Sequence, residues 1–356
     1  MGNIKIIAEA GVNHNGSIKT AYELIDAAHN AGADIVKFQT YRTENLVTRE
    51  TKQAKYQVEN TKKTESQYDM LKRLELSYVE FEEMKNYCDE KGIEFMSTGF
   101  DHESIDFLLN NLKQHTFKIS SGDLTNAPLL FYIASKKVNI ILSTGMATTE
   151  EIHKALGFIA YGLSGQKDMS TNKIKEFYYE KIAKDLLNEY VTVLHCTTEY
   201  PTPVSDVNLN TLDYLKKELQ LPIGFSDHTE GILFPIVAAG KEIKVIEKHF
   251  TLDKNMPGPD HKASLDPSEL QEMVANIRLV EQGLGYKDKV VSSIELENRN
   301  VVRKSIVASE RIKKGERFSF ENIAVKRAGL GISPFQFWDY IGKKADRNYL
   351  KDELVK

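Results

Sequence analysis

The sequence predicts a (β/α)8 barrel followed by a small C-terminal unit, and three observations lead there. Short β-branched runs alternate with longer helical patterns, as in a parallel α/β fold. There are eight such runs, the number that closes a barrel. Most are nearly all apolar, as strands covered on both faces must be.

The runs are residues 5–9, 35–39, 94–97, 117–119, 139–143, 192–195, 222–226 and 245–249. After the first, Ala21, Leu24, Ile25 and Ala28 fall on one helical face, and Gly32 follows as a stop. Similar but shorter helical patterns occupy 105–112 and 150–159, and a further helix is expected near 78–91. The stretch 40–88 contains a polar segment, 48–66, expected as an elaborated loop on the catalytic face. The insertion 165–189, rich in Lys, Glu, Tyr and Leu, is expected to add one helix outside the barrel. A helix over 267–284 closes the barrel, so residues 1–284 form the first domain and 285–301 a polar linker. Residues 302–356 form a small domain of short strands at 305–308, 312–316 and 323–327, with a turn at Lys313-Lys314-Gly315. About fifty-five residues make a marginal core, which points to docking on the barrel or on a partner chain.

The composition excludes several classes. The 356 residues are 41% hydrophobic and 28% charged, which does not suit a disordered chain. A net charge of −4 gives no footprint for nucleic acid or an anionic membrane. Nowhere do about eighteen apolar residues run together, and the start lacks a signal-peptide span. Gly2 is not followed by the Ser or Thr that myristoylation favours. Cys88 and Cys196 form no disulfide framework and no zinc spacing, so the cytoplasm is the expected compartment.

In such a barrel the chemistry sits at the C-terminal strand ends. Those positions hold Glu9, Lys37 and Gln39, Ser97 and Thr98, Lys118 with Ser120, Ser121 and Asp123, Ser143-Thr144-Gly145, His195 through Tyr200, Ser226-Asp227-His228, and His249. Lys37 and Lys118, flanked by hydroxyls and glycine turns, suit a small polyanion bearing phosphate and carboxylate. The competing reading makes them snorkelling surface lysines. His228 and His249 end adjacent strands, which places two imidazoles side by side, able to share one divalent metal and leave positions open for water and substrate. Two hydrogen-bonded structural histidines are the alternative. Asp227 would orient His228 or cap a helix. His195 reads equally well as a satisfied core histidine, and Cys196 as inert packing. Tyr200-Pro201-Thr202-Pro203 and Pro257-Gly258-Pro259-Asp260-His261 are rigid loops that present Tyr200 and Asp260 at the mouth, or plain turns.

Several motifs in order go further. Glu9-Ala10-Gly11-Val12-Asn13-His14-Asn15-Gly16, Lys37-Phe38-Gln39-Thr40, Leu142-Ser143-Thr144-Gly145-Met146, His195-Cys196-Thr197, Gly224-Phe225-Ser226-Asp227-His228 and Glu247-Lys248-His249-Phe250-Thr251 resemble those of the bacterial sialic acid synthases. Ile312-Lys313-Lys314-Gly315-Glu316 and Val325-Lys326-Arg327 resemble that family's antifreeze-like (SAF) domain. The resemblance spans the chain. It implies condensation of phosphoenolpyruvate with the open-chain aldehyde of an N-acylated hexose, releasing phosphate and a nine-carbon 2-keto acid. It implies a divalent metal, Mn2+ first and Mg2+ or Co2+ as alternatives, on His228 and His249. Lys37, Thr98, Lys118, Ser121, Ser143 and Ser226 would surround phosphoenolpyruvate, with Thr198 standing where several relatives carry Asn. Glu9, Asp123, Tyr200 and Asp260 would meet the sugar or handle protons. Arg327 would reach into the barrel of a second protomer in a domain-swapped homodimer. Asp123 replaces the family's usual Glu and Ala328 a common Pro, which bears on contact details.

The acceptor is left between N-acetylmannosamine, giving N-acetylneuraminate, and a diacetamido-trideoxy hexose, giving a legionaminate-type product; the sequence reading leans to the former. A metal-dependent pyruvate aldolase on the same barrel would release no phosphate. A non-catalytic binding protein is argued against by the polar strand ends.

Overall fold

The computed structural model describes residues 3–168 and 170–356. Met1 and Gly2, read above for a processing signal, and Met169 of the insertion lie outside the described residues. All eight expected strands form: β1 Lys5–Gly11, β2 Ile35–Thr40, β3 Glu94–Gly99, β4 Thr116–Ile119, β5 Asn139–Ser143, β6 Val191–His195, β7 Ile223–Asp227 and β8 Val245–His249. They pair in parallel in the order β3-β2-β1-β8-β7-β6-β5-β4. This is the expected (β/α)8 architecture, with β3 and β4 at the two ends of the hydrogen-bonded order.

The pleat decides what the barrel holds. Ile7, Ile35, Met96, Ile141, Leu194 and Val245 pack as one apolar layer. Side chains two residues further along a strand point the same way. From those six positions the step leads to Glu9, Lys37, Thr98, Ser143, Cys196 and Glu247. The interior therefore changes from hydrocarbon to polar across a single layer, toward the C-terminal strand ends. A much larger apolar cluster lies between strands and helices, joining residues such as Val36, Phe38 and Phe117 to Leu24, Phe81 and Leu130.

The helices begin and end where local chemistry directs. Ile18–Asn30 is capped by Ser17, buries Ala21, Leu24, Ile25 and Ala28, and is followed by Gly32 at φ +78°. Tyr78–Lys91 opens with a Ser77/Glu80 capping box and ends on Gly92 in the left-handed region. Thr149–Ser164 is longer than the sequence pattern suggests, because Tyr161 and Leu163 are buried too. Within the polar stretch 48–66 a short helix forms, Lys55–Thr61, and Asn60 Nδ2 donates to the Pro259 carbonyl at 2.7 Å. That bond ties the stretch to the loop after β8, on the side of the barrel where the polar strand ends lie.

Three expectations need correction, two of them in helices. The insertion 165–189 holds two helices rather than one, Thr171–Tyr178 and Lys181–Tyr190. Each has its own apolar stripe, Ile174 with Phe177 and Ala183 with Leu187, so two short helices bury what one continuous helix would not. The supposed linker 285–301 contains most of a helix, Ser293–Val302, opened by a Ser292/Glu295 capping box. Its polar composition hides it, although the Ser-x-x-Glu signal is in the sequence.

The chain divides into Met1–Leu284 and Gly285–Lys356. In the second unit β9, Ser305–Ala308, pairs antiparallel with β10, Ile323–Lys326. Its core comprises Ile306, Ala308, Ile312, Phe318, Ile323, Ala345, Tyr349 and Val355. Gly315 takes φ +85° in the expected turn, but the strand expected over 312–316 does not form, since Ile312 makes only an isolated bridge to Tyr349 before the chain turns.

Gly224 on β7 tests the packing of the barrel interior, where Leu194 and Val245 meet. A Cβ there would lie 2.5 Å from Leu194 Cδ2 and 2.6 Å from the Val245 carbonyl oxygen. Backbone cannot yield as a side-chain tip does, so Gly224→Ala is expected to destabilise the barrel by about 1–3 kcal/mol or more in urea unfolding; an unchanged midpoint and slope would contradict this packing.

Candidate active site

Register brings the charged residues together. Glu9 on β1 is the Cα partner of Lys37 on β2 and of His249 on β8, and Ser226 on β7 is the partner of Glu247 on β8. Lys37 Nζ lies 2.7 Å from Glu9 Oε2, a close ion pair outside hydrogen-bonding alignment, and 3.5 Å from Glu247 Oε2. It donates to Thr98 Oγ1 at 3.1 Å. Lys118 Nζ reaches Glu247 Oε1 at 3.1 Å, and Ser226 Oγ donates to the same oxygen at 2.7 Å. Gln39 Nε2 donates to Glu9 Oε1 at 3.2 Å. All four charged side chains are buried.

Two cations and two anions thus balance where water is excluded. Burial works against the charge on Glu247, but Lys118 and Lys37 outweigh it and hold the carboxyl below its usual range. Burial likewise opposes the charge on Lys37, and Glu247 with Glu9 outweighs it. Glu9 goes the other way: burial, aided by Glu247, lifts its carboxyl above the ordinary value against the pull of Lys37.

Beside this cluster is a cradle of small polar groups. Gly145 N donates to Ser121 Oγ at 2.9 Å and approaches Cys196 Sγ at 3.1 Å, and Ser121 Oγ lies 3.1 Å from the same sulfur. Position 145 has no room for a side chain: a Cβ would stand 2.1 Å from Thr198 Oγ1 and 2.8 Å from Ser121 Oγ. The hydroxyls of Ser143 and Thr198 are buried without a hydrogen-bond partner. Hydroxyl donors left unmade in a buried site are groups waiting for an acceptor, since an unsatisfied polar atom costs about 1–3 kcal/mol.

The two histidines stand at the mouth, with ring centroids 5.7 Å apart. His228 Nδ1 is 2.6 Å from the Thr197 carbonyl, which only an N–H can satisfy. The proton is therefore on Nδ1, and Nε2 keeps its lone pair, 3.4 Å from Ser226 Oγ, whose own proton points to Glu247. Burial lowers the His228 pKa to about 4 and holds His249 well below its ordinary value, His228 adding to the effect, so both rings are neutral. His249 Nδ1 is buried without a partner. Two neutral imidazoles, one oriented by a carbonyl and one with an orphaned nitrogen, fit a divalent ion. Among the described residues no group of three or more His, Cys, Asp or Glu is arranged around a metal, so remaining ligands would come from water and substrate. Tyr200 covers the pair, 4.1 Å from the His228 ring and edge-on to His249 at 5.7 Å.

The structure places the other expected residues as follows. Asp260 is buried, and burial with the nearby Glu9 charge raises its pKa to about 7. Asp123 sits in its own 3-10 turn, accepting from Ser120 Oγ at 3.0 Å and Asn126 Nδ2 at 3.1 Å, with burial raising its pKa. Arg327 follows β10 in the second unit and is exposed. His195 is a satisfied core histidine, its Nε2 2.8 Å from the Val207 carbonyl. Asp227 does not orient His228: it is paired with the fully buried Lys248 at 2.6 Å and accepts from Thr229 N and Oγ1. Cys196 is not inert packing but part of the cradle wall.

Glu247 is the functional side chain that the sequence reading misses. The signal is there, because it lies two residues before His249 on a strand and so shares its inward face. Its apolar-looking strand context draws attention to the terminal histidine instead.

Asp260 carries a pH prediction. Its native carboxyl keeps a proton between its ordinary value of 3.8 and about 7, where the unfolded chain has lost it. Stability contributed there is present at low pH and lost as pH rises through that window. Melting curves of wild type and Asp260→Asn are therefore expected to diverge in favour of the variant from about pH 4 to pH 7, by on the order of a few kcal/mol. A gap independent of pH would contradict the assignment.

Comparisons with known proteins agree with the motifs. The sequence profile of the NeuB family matches residues 24–289. The chain is 44% identical over 351 residues to N,N'-diacetyllegionaminic acid synthase of Campylobacter jejuni, covering 99% of this chain and 98% of that protein. It is 43% identical over 343 residues to the protein of the same name from Legionella pneumophila, covering 96% and 90%. A crystal structure of N-acetylneuraminic acid (sialic acid) synthetase from Leptospira borgpetersenii, 30% identical, superposes with a TM-score of 0.68 over 85% of this chain and 93% of that one. The resemblance to sialic acid synthases is borne out: the protein is an enzyme of the NeuB family.

Proposed function

We propose that the protein condenses phosphoenolpyruvate with the open-chain aldehyde of a diacetamido-trideoxy hexose: the donor's methylene carbon bonds to the aldehyde carbon, water adds at the donor's central carbon, and phosphate leaves from it to give a legionaminate-type 2-keto acid. The observation that carries the condensation is the pair of buried lysines, Lys37 and Lys118, beside the unsatisfied hydroxyls of Ser143 and Thr198. Such a site suits a small, highly charged donor and offers little to a neutral one. The acceptor departs from the sequence reading, which leans to N-acetylmannosamine; the relatives at 44% and 43% identity, both named for N,N'-diacetyllegionaminic acid, support the other sugar.

In this reading Lys37 and Lys118 receive the donor's anionic groups, with Glu9 and Glu247 as their countercharges beforehand. Thr98, Ser121 and Ser226 line the donor's place, and the unsatisfied hydroxyls of Ser143 and Thr198 supply directional bonds. Asp260, protonated near neutral pH, gives a hydrogen bond or a proton to the sugar, and Glu9 beside it accepts one. Tyr200 forms a ring wall against the acceptor, and Asp123 handles a proton at the cradle's edge. His228 and His249 would hold a divalent ion, Mn2+ by preference, which supplies Lewis-acid polarisation of the aldehyde oxygen. Arg327 is assigned to the barrel of a partner protomer, supported by its exposure on a unit that also exposes Phe320, Leu330, Phe335 and Trp338. The substrates are small molecules, and among the described residues no helix is long and apolar enough to cross a membrane.

Phosphate release, measured with phosphoenolpyruvate and either sugar side by side, tests the proposal. The diacetamido sugar is expected to exceed N-acetylmannosamine by about tenfold or more in kcat/KM. Exhaustive chelation should abolish turnover and Mn2+ restore it. Equal use of N-acetylmannosamine overturns the acceptor, absence of phosphate release with both overturns the condensation, and full activity after verified metal removal overturns the metal.

A further inference from the structure

The barrel has one seam that backbone does not close. β3 and β4 are the ends of the hydrogen-bonded order, and among the described residues no backbone ladder joins them. The side chain of Gln114, in the turn before β4, fills that place. Its Oε1 accepts from Ser97 N at 2.8 Å, and its Nε2 donates to the Ser97 carbonyl at 2.9 Å and the Thr116 carbonyl at 3.0 Å. A primary carboxamide offers the same donor and acceptor as a peptide group, so it satisfies both backbone groups of Ser97 as a neighbouring strand would. Gln114 is itself buried, and its backbone N–H is anchored on the Leu108 carbonyl.

The seam runs through the charged cluster. Ser97 immediately precedes Thr98, which accepts from Lys37, and Thr116 lies two residues before Lys118. Lys37 and Thr98 thus stand on one side of the seam and Lys118 on the other. Both lysines are tied to Glu247 on the far wall. Two like charges repel across the boundary that, among the described residues, lacks a ladder, and there the Gln114 carboxamide joins the strands.

We propose that Gln114 is a positioning residue that clamps β3 to β4 and so sets the spacing of Lys37–Thr98 from Lys118 for the anionic substrate. Its link to phosphoenolpyruvate rests on the function proposed above; the clamp itself rests on the three hydrogen bonds. Nothing in the chemistry of Gln114 touches substrate, and its effect passes through the two strands it joins.

Gln114→Met, of similar length and without the carboxamide, tests this by two readouts. Hydrogen exchange at the Ser97 amide should accelerate selectively relative to Val36 or Phe38 on β2. Phosphoenolpyruvate kcat/KM should fall about tenfold or more, with KM rising more than kcat falls, as displaced binding groups require. A structural role alone would lower the melting temperature and leave KM as it was. Should Gln114→Met not fold, Gln114→Asn, which keeps the carboxamide on a stem one methylene shorter, is read in the same way and should be affected less. A folded variant with wild-type KM overturns the positioning role. If the wild type itself neither binds nor consumes phosphoenolpyruvate, the proposed reaction fails, and unaltered Ser97 exchange in Gln114→Met would still overturn the clamp on its own.

Discussion

Lys37 and Lys118 are buried in one barrel, and the surroundings answer the need for countercharge where water is excluded. An isolated buried cation would give up its proton, because desolvation penalises the charged form. Glu247 lies between the two lysines and Glu9 takes the other side of Lys37, so the cluster is neutral overall. Such a cluster is poor as a source of stability, since attraction barely offsets desolvation. As a binding device it is well suited: the positive groups are already dehydrated and placed when an anion arrives.

The rest of the site is arranged outward from this cluster by strand periodicity. The apolar layer beneath it excludes water from below. The layer above carries His228 and His249, kept neutral by burial. Neutral imidazoles add no further positive charge to a crowded region and keep lone pairs for a metal. The unpartnered hydroxyls of Ser143 and Thr198 in the cradle add neutral donors, so that anion recognition does not depend on charge alone.

Much of this is legible in the sequence because the barrel's rules are local. Alternation of runs locates every strand, and strand ends locate Glu9, Lys37, Lys118, His228 and His249. What escapes has a physical reason in each case. Glu247 escapes because a reading confined to strand ends stops at His249, although the pleat gives both the same face. Asp227 is misassigned because adjacency in sequence suggests His228, whereas successive strand residues face opposite sides and Asp227 meets Lys248 instead. Gln114 carries no motif, because a side chain replacing a ladder depends on where β3 and β4 end in space. The helix Ser293–Val302 is masked by polar composition, and its capping box is the one local sign of it.

Glu247 is the countercharge shared by both buried lysines, and it holds them in place for an anion. Urea unfolding of Glu247→Gln, with and without millimolar phosphoenolpyruvate or inorganic phosphate, tests it most directly. The variant is expected to lose about 3–5 kcal/mol in the absence of anion, and to recover more on adding anion than wild type gains, because the ligand then supplies the missing countercharge. Wild-type stability in the variant, or equal protection of both proteins by the anion, would contradict it.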